Sequence, residues 1–285
     1  MYTGERVTAR PMLTVTMAQG AAAYRFVAEL ARGKTVLDIA CGEGYGPDIL
    51  ARSARAVVAV DRDASTIARA RTRYRAKNLS FLSADLSSAP GVLRDKRFDV
   101  VCSFQFLEHL EDQRAFLRLL RSFVRPGGTV AVSTPNKRMF PTFNPYHLRE
   151  VDAAELRALF AEEFGTARVL GIFGDARVLQ YRTSKQRLGD LLLRADILRM
   201  RERLPRPVIH RVYDLVSFLL LKRVSFWRHR ELVTAITPEN FSVRAEDLGQ
   251  ALDLLAIADV APVGGQGVPT VEAPQVRLAS DAYPP

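Results

Sequence analysis

Val36-Leu37-Asp38-Ile39-Ala40-Cys41-Gly42-Glu43-Gly44-Tyr45-Gly46 is the stretch that decides the fold. An apolar run carries one acid, then opens into a loop in which glycine takes every second place from Gly42, and a helical pattern starts at Tyr45. A short apolar run bounded by glycines and followed by a helix is the opening of a βαβ unit. Glycine permits positive φ and lets a ligand approach the main chain closely. The first turn of the helix then presents unpaired amides, which suit a carboxylate or another anion.

The same alternation runs outward from that block. Apolar runs at Thr35–Ile39, Ala56–Val60, Ser80–Ser83, Phe98–Ser103, Thr129–Thr134 and Arg168–Phe173 read as strands, separated by helical patterns at Tyr45–Ser53, Ala64–Lys77, Gln113–Phe123 and Ala153–Phe164. Strand and helix at this spacing predict an α/β chain with a Rossmann-like, doubly wound, mostly parallel sheet. Asp152 and Glu155 have the spacing of a capping box ahead of the last of those helices. Gly127-Gly128 reads as a turn feeding the fifth strand, and Pro135 as its end. Sheet character returns at Phe241–Val243 and in Ala251–Ala258, taken as the final strand. The expectation is a seven-stranded sheet with a helical insertion before the last strand. The chain divides accordingly into an N-terminal arm and helix (1–34, the helix at Ala21–Leu30), a core (35–181), a basic helical insertion or cap (182–235), a closing strand region (236–261) and a glycine- and proline-rich tail expected to be disordered (262–285).

Composition narrows the class. With 285 residues, 48% hydrophobic and 25% charged, the chain can bury a sizeable core, which excludes wholesale disorder. Cys41 and Cys102 lie inside apolar runs and are too few for a disulfide scaffold, as in a reducing compartment. No apolar run approaches the ~18 residues of a membrane span, and the N-terminus lacks a signal-peptide core. A cytoplasmic location follows as the expectation, with peripheral contact at the inner membrane face as an extension of it. The net charge of +10 is concentrated: residues 182–230 carry 13 Lys and Arg against 4 Asp and Glu, whereas residues 231–285 carry 2 against 8. Three roles compete for the basic helical stretch 186–230: a cap over an acceptor pocket, a surface for anionic lipid, and phosphate binding on RNA. Nucleic acid ranks last, because little aromatic surface interleaves with the arginines.

Asp38, Asp61 and Asp85 lie at or near the ends of the first three strands, 23 and 24 residues apart, or one βα unit each. Ligands of a doubly wound sheet bind outside the carboxyl ends of its strands, so the three acids would line one crevice. Asp61 can accept two hydrogen bonds from a ribose diol, and Asp85 can accept from an exocyclic amine.

Five ordered blocks, VLDIACGEGYG (36–46), VVAVD (57–61), SADL (83–86), FDVVCSFQFLEHLED (98–112) and RPGGTVAVSTPN (125–136), resemble the class I S-adenosylmethionine-dependent methyltransferases. The resemblance covers about residues 35–173. It implies that the glycine loop cradles the methionine part of S-adenosylmethionine, that Asp61 holds the ribose, and that Asp85 with Leu86 meets the adenine. The donor-binding set it implies is Asp38, Ala40, Gly42, Gly44, Asp61, Arg62, Asp85, Leu86 and Phe104, with S-adenosylhomocysteine as product. A nicotinamide dehydrogenase is the rival reading, but G-x-G-x-G differs from its fingerprint and a third strand-end acid has no task in holding a pyrophosphate.

For the acceptor, the residues that matter lie after the fourth and fifth strands. His109 and His147 are the candidate general bases there. An E-H-L block recurs in many methyltransferases as pocket wall, and residues 134–150 resemble the acceptor wall of bacterial enzymes from glycan and secondary-metabolite clusters. The leading reading is O-methylation of a sugar, glycan or related hydroxylated small molecule. Alternatives are a quinone- or lipid-type methyltransferase at the membrane surface and a non-catalytic donor-binding partner subunit. Glu108, Glu111 and Asp112 could be read as metal ligands, as in some quinone-pathway enzymes, or as acids complementing a helix dipole; the second reading is preferred and no metal is expected. Ser103-Phe104-Gln105-Phe106 stands where enzymes of exocyclic nucleobase amines carry N/D-P-P-Y/F, which disfavours that chemistry. The N-terminal block with Glu5 and Arg6 resembles a lid over the donor or serves as a solvated arm.

Overall fold

The structure, a computed structural model, describes residues 14–93, 96–139, 144, 146–184 and 230–261. Its centre is an eight-stranded sheet in the order β3-β2-β1-β4-β5-β8-β6-β7. The strands are β1 (Thr35–Ile39), β2 (Ala56–Asp61), β3 (Leu79–Ser83), β4 (Phe98–Phe104), β5 (Val124–Pro135), β6 (Arg168–Gly174), β7 (Phe241–Arg244) and β8 (Asp253–Asp259). The first five pair in parallel, β8 lies antiparallel between β5 and β6, and β7 is an antiparallel edge strand on β6.

The helices flanking the sheet include α1 (Thr14–Leu30), α2 (Tyr45–Ala51), α3 (Ala64–Arg73), α4 (Ala89–Leu93), α5 (Gln113–Phe123) and α6 (Ala153–Phe164), and a short α7 (Arg230–Ala235) precedes β7. They cover both faces, which is why the central strands read as continuous apolar runs rather than alternating ones. One face packs Leu93, Phe116, Leu120, Leu156 and Phe160 of α4–α6 against Leu37, Val101 and Val130. The other packs Val27 of α1 and Leu50 of α2 against Val36, Val100 and Ile257. Behind β2, Ile67 and Ala70 of α3 meet Phe81 and Cys41.

The sequence expectation of seven strands is corrected to eight. Phe241–Arg244 pairs along Gly171–Gly174, and so short a segment carries too few alternations to read as a strand of its own. β6 and β7 are therefore two arms of a hairpin whose connection is residues 175–240. The two ends of that connection are clipped together: Asp175 N–H donates to Asn240 O at 2.9 Å, and Asn240 Nδ2 donates to Asp175 Oδ2 at 2.7 Å. Most of the basic stretch 186–230, the N-terminal block with Glu5 and Arg6, and the tail from 262 lie outside the described residues. Next to the clip, Val178, Tyr181, Val233 and Ile236 are buried in the core.

Element boundaries differ in instructive ways. α1 begins at Thr14 rather than Ala21, because Val15 and Ala18 already face the core. α3 stops at Arg73 because Tyr74 turns extended and leans on the Phe81 ring. β5 starts at Val124, so the Gly127-Gly128 turn falls within the strand as an irregularity: the register passes from Phe98↔Val124 to Val100↔Thr129, with Gly127 at φ 75°. The capping box forms as its spacing predicts. Asp152 Oδ1 accepts from Ala154 N and Glu155 N while Glu155 Oε2 accepts from Asp152 N, and Gly165 ends the helix in the left-handed region.

Two substitutions on α6 test this account of stability. Phe160→Ala empties a fully buried site and is expected to cost about 3–5 kcal/mol, whereas Asp152→Ala removes only the cap and is expected to cost about 1 kcal/mol. Urea denaturation followed by circular dichroism measures both. Equal losses would show that the helix does not depend chiefly on its packing.

Candidate active site

The sequence-predicted site residues fall in two groups, most of them at the carboxyl edge of the sheet. The first surrounds the loop from β1 to α2. Ala40, Gly42 and Gly44 have φ of 61°, 54° and 84°. The loop's amides are largely paired within the fold: Cys41 N donates to Val60 O, Gly42 N to Asp61 Oδ2 and Gly44 N to Cys41 O. A Cβ at Gly42 would meet nothing within 4 Å, so the loop has open space before it. At Gly44, in contrast, a Cβ would press on Phe81 and Ala70, at 2.8–2.9 Å. Only glycine satisfies both the backbone sign and the close packing there.

Asp61, half-buried at the end of β2, orients this loop. Its Oδ2 accepts from Gly42 N at 3.0 Å and its Oδ1 from Asp63 N at 3.0 Å. Arg62 beside it is exposed. Asp85 is exposed two residues beyond β3 and Leu86 is buried under the sheet edge. Thus Asp61 and Asp85 stand along one rim, but Asp38 does not share it. Asp38 is fully buried within β1, opposite Cys102 of β4. The Tyr24 hydroxyl of α1 donates to Asp38 Oδ2 at 3.0 Å, and Oδ1 has no hydrogen-bond partner among the described residues. Burial pushes the Asp38 carboxyl up to about 8, the neighbouring Asp61 charge acts in the same direction, and the Tyr24 and Cys102 side chains oppose them. Tyr24 also packs edge-on against Phe104 and Tyr45, with ring centroids 4.5 and 5.6 Å away, and its ring occupies the space a Cβ of Gly46 would need. Phe104 is buried here as part of the wall beneath the loop.

The second group lies beyond β4 and β5. Glu108 and His109 sit on the single 3-10 turn Leu107–His109, both buried. Thr134 Oγ1, from the end of β5, donates to Glu108 Oε2 at 3.0 Å. His109 Nδ1 lies 2.9 Å from the Tyr146 carbonyl and its Nε2 3.9 Å from Glu108 Oε1. His147 Nδ1 is 2.6 Å from Glu150 Oε1. The two imidazoles meet edge to face, centroids 5.2 Å apart. The histidines that sequence offered as separate candidates therefore belong to one cluster. Glu111 and Asp112 are exposed instead, and Asp112 caps α5 by accepting from Ala115 N at 2.8 Å.

Backbone bonds stitch the two loops together: Leu148 N and Arg149 N both donate to Glu108 O, and Gln113 Nε2 donates to the Leu107 and Arg149 carbonyls. Asp253 closes the group at the start of β8. It is buried, its Oδ2 accepts from Gln19 Nε2 of α1 at 2.7 Å, and burial pushes its carboxyl up to about 6.

Sequence reasoning missed Tyr24, Gln19, Thr134, Glu150 and Asp253. For Glu150 a signal existed in the His-x-x-Glu spacing, which sets the carboxylate within reach of the imidazole. The others come from distant elements, and no local pattern marks them. Gln105, at φ 55° just past β4, is a further strained position on the same edge as Ala40.

With this geometry in view, likeness to known proteins is informative. A family described as a methyltransferase domain matches residues 37–132. A probable S-adenosylmethionine-dependent methyltransferase of Mycobacterium tuberculosis is 34% identical over 245 residues, covering 82% of this chain and 80% of the relative. The ubiquinone biosynthesis O-methyltransferase of Azotobacter vinelandii is 34% identical over 114 residues, or 37% of this chain and 46% of that one. The YcgJ protein of Bacillus subtilis, at 13% identity, shares the fold with a TM-score of 0.50 over 86% of this chain and 100% of its own. No helix among the described residues is long and apolar enough to cross a membrane. The dehydrogenase and the non-catalytic partner subunit are set aside, since the glycine loop, the methyltransferase-domain match and a relative matched over four fifths of its length agree on one family: the chain belongs to the S-adenosylmethionine-dependent methyltransferases and takes S-adenosylmethionine as its methyl donor.

Proposed function

We propose that the chain methylates a hydroxyl group of a sugar, glycan or related hydroxylated small molecule. The observation that carries this reading is the cluster of Glu108, His109 and His147 at the carboxyl edge, with His147 held through Nδ1 by Glu150. Transfer to oxygen requires an oriented hydroxyl and removal of its proton, and a positioned imidazole is the commonest group for that task. His109 and His147 are the residues assigned to activate the acceptor. A second acceptor class, a hydroxylated quinone or lipid-type ring met at the membrane surface, is favoured by the likeness to the ubiquinone-pathway enzyme and by the basic stretch 182–230.

On the donor side the residues present fit S-adenosylmethionine. The positive-φ loop at Ala40, Gly42 and Gly44, with open space before Gly42, suits close approach of the donor's methionine part, Asp61 has two oriented oxygens for the ribose diol, and Asp85 with Leu86 offers an acceptor and an apolar wall for the base. Arg62 flanks the ribose position and Phe104 lines the floor. The Asp38 oxygen without a partner complements the donor's ammonium group. The donor supplies an electrophilic methyl on a sulfonium; the protein's task is to hold both partners and exclude water.

Two outcomes are expected. A cation beside Asp38 draws its carboxyl down from about 8 toward the ordinary range, so donor binding near pH 7 expels a proton. Calorimetry in two buffers of different ionisation enthalpy should show net proton release that disappears in Asp38→Asn; equal release in both would remove Asp38 from the donor site. On the acceptor side, S-adenosylhomocysteine release is measured against panels of sugars and glycans and of hydroxylated quinones and lipids. Turnover on the sugar panel is expected, and His147→Ala should lower it by about 10²–10⁴-fold with donor affinity unchanged. Turnover confined to the second panel would transfer the assignment to the quinone class, and unaltered turnover in His147→Ala would exclude that residue.

A further inference from the structure

We propose that Asp253 anchors the methyl acceptor, its bare carboxylate oxygen accepting a hydrogen bond from a hydroxyl other than the one that is methylated. The inference rests on the proposed O-methylation and narrows it to acceptors with at least two free hydroxyl groups.

Asp253 opens β8 at the carboxyl edge of the parallel strands, paired with Pro135 of β5 on one side and Ile172 of β6 on the other. It is 2% exposed. Gln19 Nε2 of α1 donates to Oδ2 at 2.7 Å, and Oδ1 has no hydrogen-bond partner among the described residues. Nearly all buried polar atoms are hydrogen-bonded, so a bare carboxylate oxygen calls for a partner from outside the fold.

The position of Asp253 says which reactant supplies that partner. Asp38 has the same construction: it is buried, α1 holds one oxygen and the other is bare. Both acids are met by α1, so they lie on one face of the sheet. The paired row Asp38–Cys102–Ala131–Ile257 sets Asp253 three strands away from Asp38 and four residues nearer the carboxyl edge. Asp38 lies under the glycine loop, whereas Asp253 feels the charges of Glu108 and His147 on the acceptor side. Tyr45 stands between the two acids. It feels both of them, and its hydroxyl fills the space a Cβ of Gly20 would need, one residue from Gln19.

Charge decides the chemical class of the partner. Arg182 is a half-buried cation that acts on Asp253, while its Nη2 donates to the Met139 carbonyl at 3.3 Å. The charge of Asp253 is thus answered through space, but the hydrogen-bonding capacity of Oδ1 is not. A neutral hydroxyl supplies the missing donor and brings no further charge out of water. Burial raises the carboxyl to about 6 against the opposing pull of Gln19, Arg182 and His147, with Glu108 acting alongside burial, so Asp253 is an ionised acceptor at neutral pH. A hydroxyl bonded to a carboxylate makes a short, charge-assisted hydrogen bond. Gln19 is the positioning residue, because its amide fixes which oxygen stays bare. With the imidazoles assigned to the hydroxyl that reacts, Asp253 holds a second point of the same molecule, and two fixed points orient a ring where one does not.

The test uses the full chain with methyl glycosides of common hexoses and the monodeoxy counterpart of each at every position. For the parent, replacing one particular unmethylated hydroxyl by hydrogen is expected to raise KM by about 10–100-fold. Asp253→Asn keeps an oxygen for Gln19 and turns the bare position into an N–H donor. It should raise KM for the complete acceptor by a similar factor, change kcat far less, leave calorimetric donor affinity unaltered, and no longer distinguish the complete acceptor from that deoxy compound. A merely structural role would weaken all acceptors alike. Gln19→Leu, at a half-buried position of α1, should blunt the same discrimination and gives the reading if Asp253→Asn does not bind donor. A parent indifferent to every deoxy position, or discrimination unchanged in both variants, overturns the proposal. Two further outcomes separate it from the functional reading. Methylation of single-hydroxyl acceptors as efficient as that of the glycosides leaves O-methylation and removes the anchor. Glycoside binding to the S-adenosylhomocysteine-loaded chain, seen by ligand-observed NMR, abolished in Asp253→Asn and unaccompanied by methyl transfer, leaves the anchor and removes O-methylation. Neither binding nor turnover of any glycoside overturns both.

Discussion

A carboxyl group fully buried in the middle of a sheet must find its hydrogen bonds within the fold, and Asp38 is such a group. Within the described residues the Tyr24 hydroxyl is its oxygen-based donor, at 3.0 Å, so α1 must lie where that hydroxyl can reach. Much follows from this constraint. Gly46 has no side chain because the Tyr24 ring lies over it, and Phe104 and Tyr45 stack around the same ring. Five residues earlier on the same helix, Gln19 reaches Asp253. One helix thus serves two buried acids, one under the glycine loop and one beside the Glu108–His147 cluster, and ties both groups to a common support.

The parallel half of the sheet was legible in sequence because each of its strands is a nearly unbroken apolar run with a helix behind it. The glycine loop was equally plain: positive φ at Gly42 and Gly44 is a local demand that only the local sequence can meet. What was hidden depends on distance along the chain. Tyr24 meets Asp38 and Thr134 meets Glu108 through tertiary packing, and neither partner carries a mark of the other. Phe241–Val243 reads as sheet-like in sequence without declaring a separate strand, since the edge strand Phe241–Arg244 has only four residues and shows no period. Asp38 illustrates a subtler gap. Its place near a strand end suggested a rim residue, whereas the pleat turns it inward beneath α1.

The two ends of the crevice use backbone geometry in matching ways. Ala40 and Gln105, following neighbouring strands, both hold a positive φ without being glycine. Such conformations cost about 1–3 kcal/mol each and persist where the surroundings over-determine them. They turn the chain off the sheet directly after β1 and β4, at the edge that carries the glycine loop and the Glu108–His109 turn. The sheet supplies the stability and the strand-end loops hold the shape needed for reaction.

The clip between Asp175 and Asn240 has an architectural consequence. Entry and exit of the long β6–β7 excursion stand side by side, and the segments next to the clip pack into the core through Val178, Tyr181, Val233 and Ile236, so the hairpin is closed whatever the length of chain between those anchors. Closure entropy grows slowly, by about 0.6 kcal/mol for each doubling of a loop. Evolution could therefore lengthen or shorten the chain between the buried anchors Val178 and Tyr181 on one side and Val233 and Ile236 on the other, making it a splice point at which one catalytic chassis can be fitted to different surroundings.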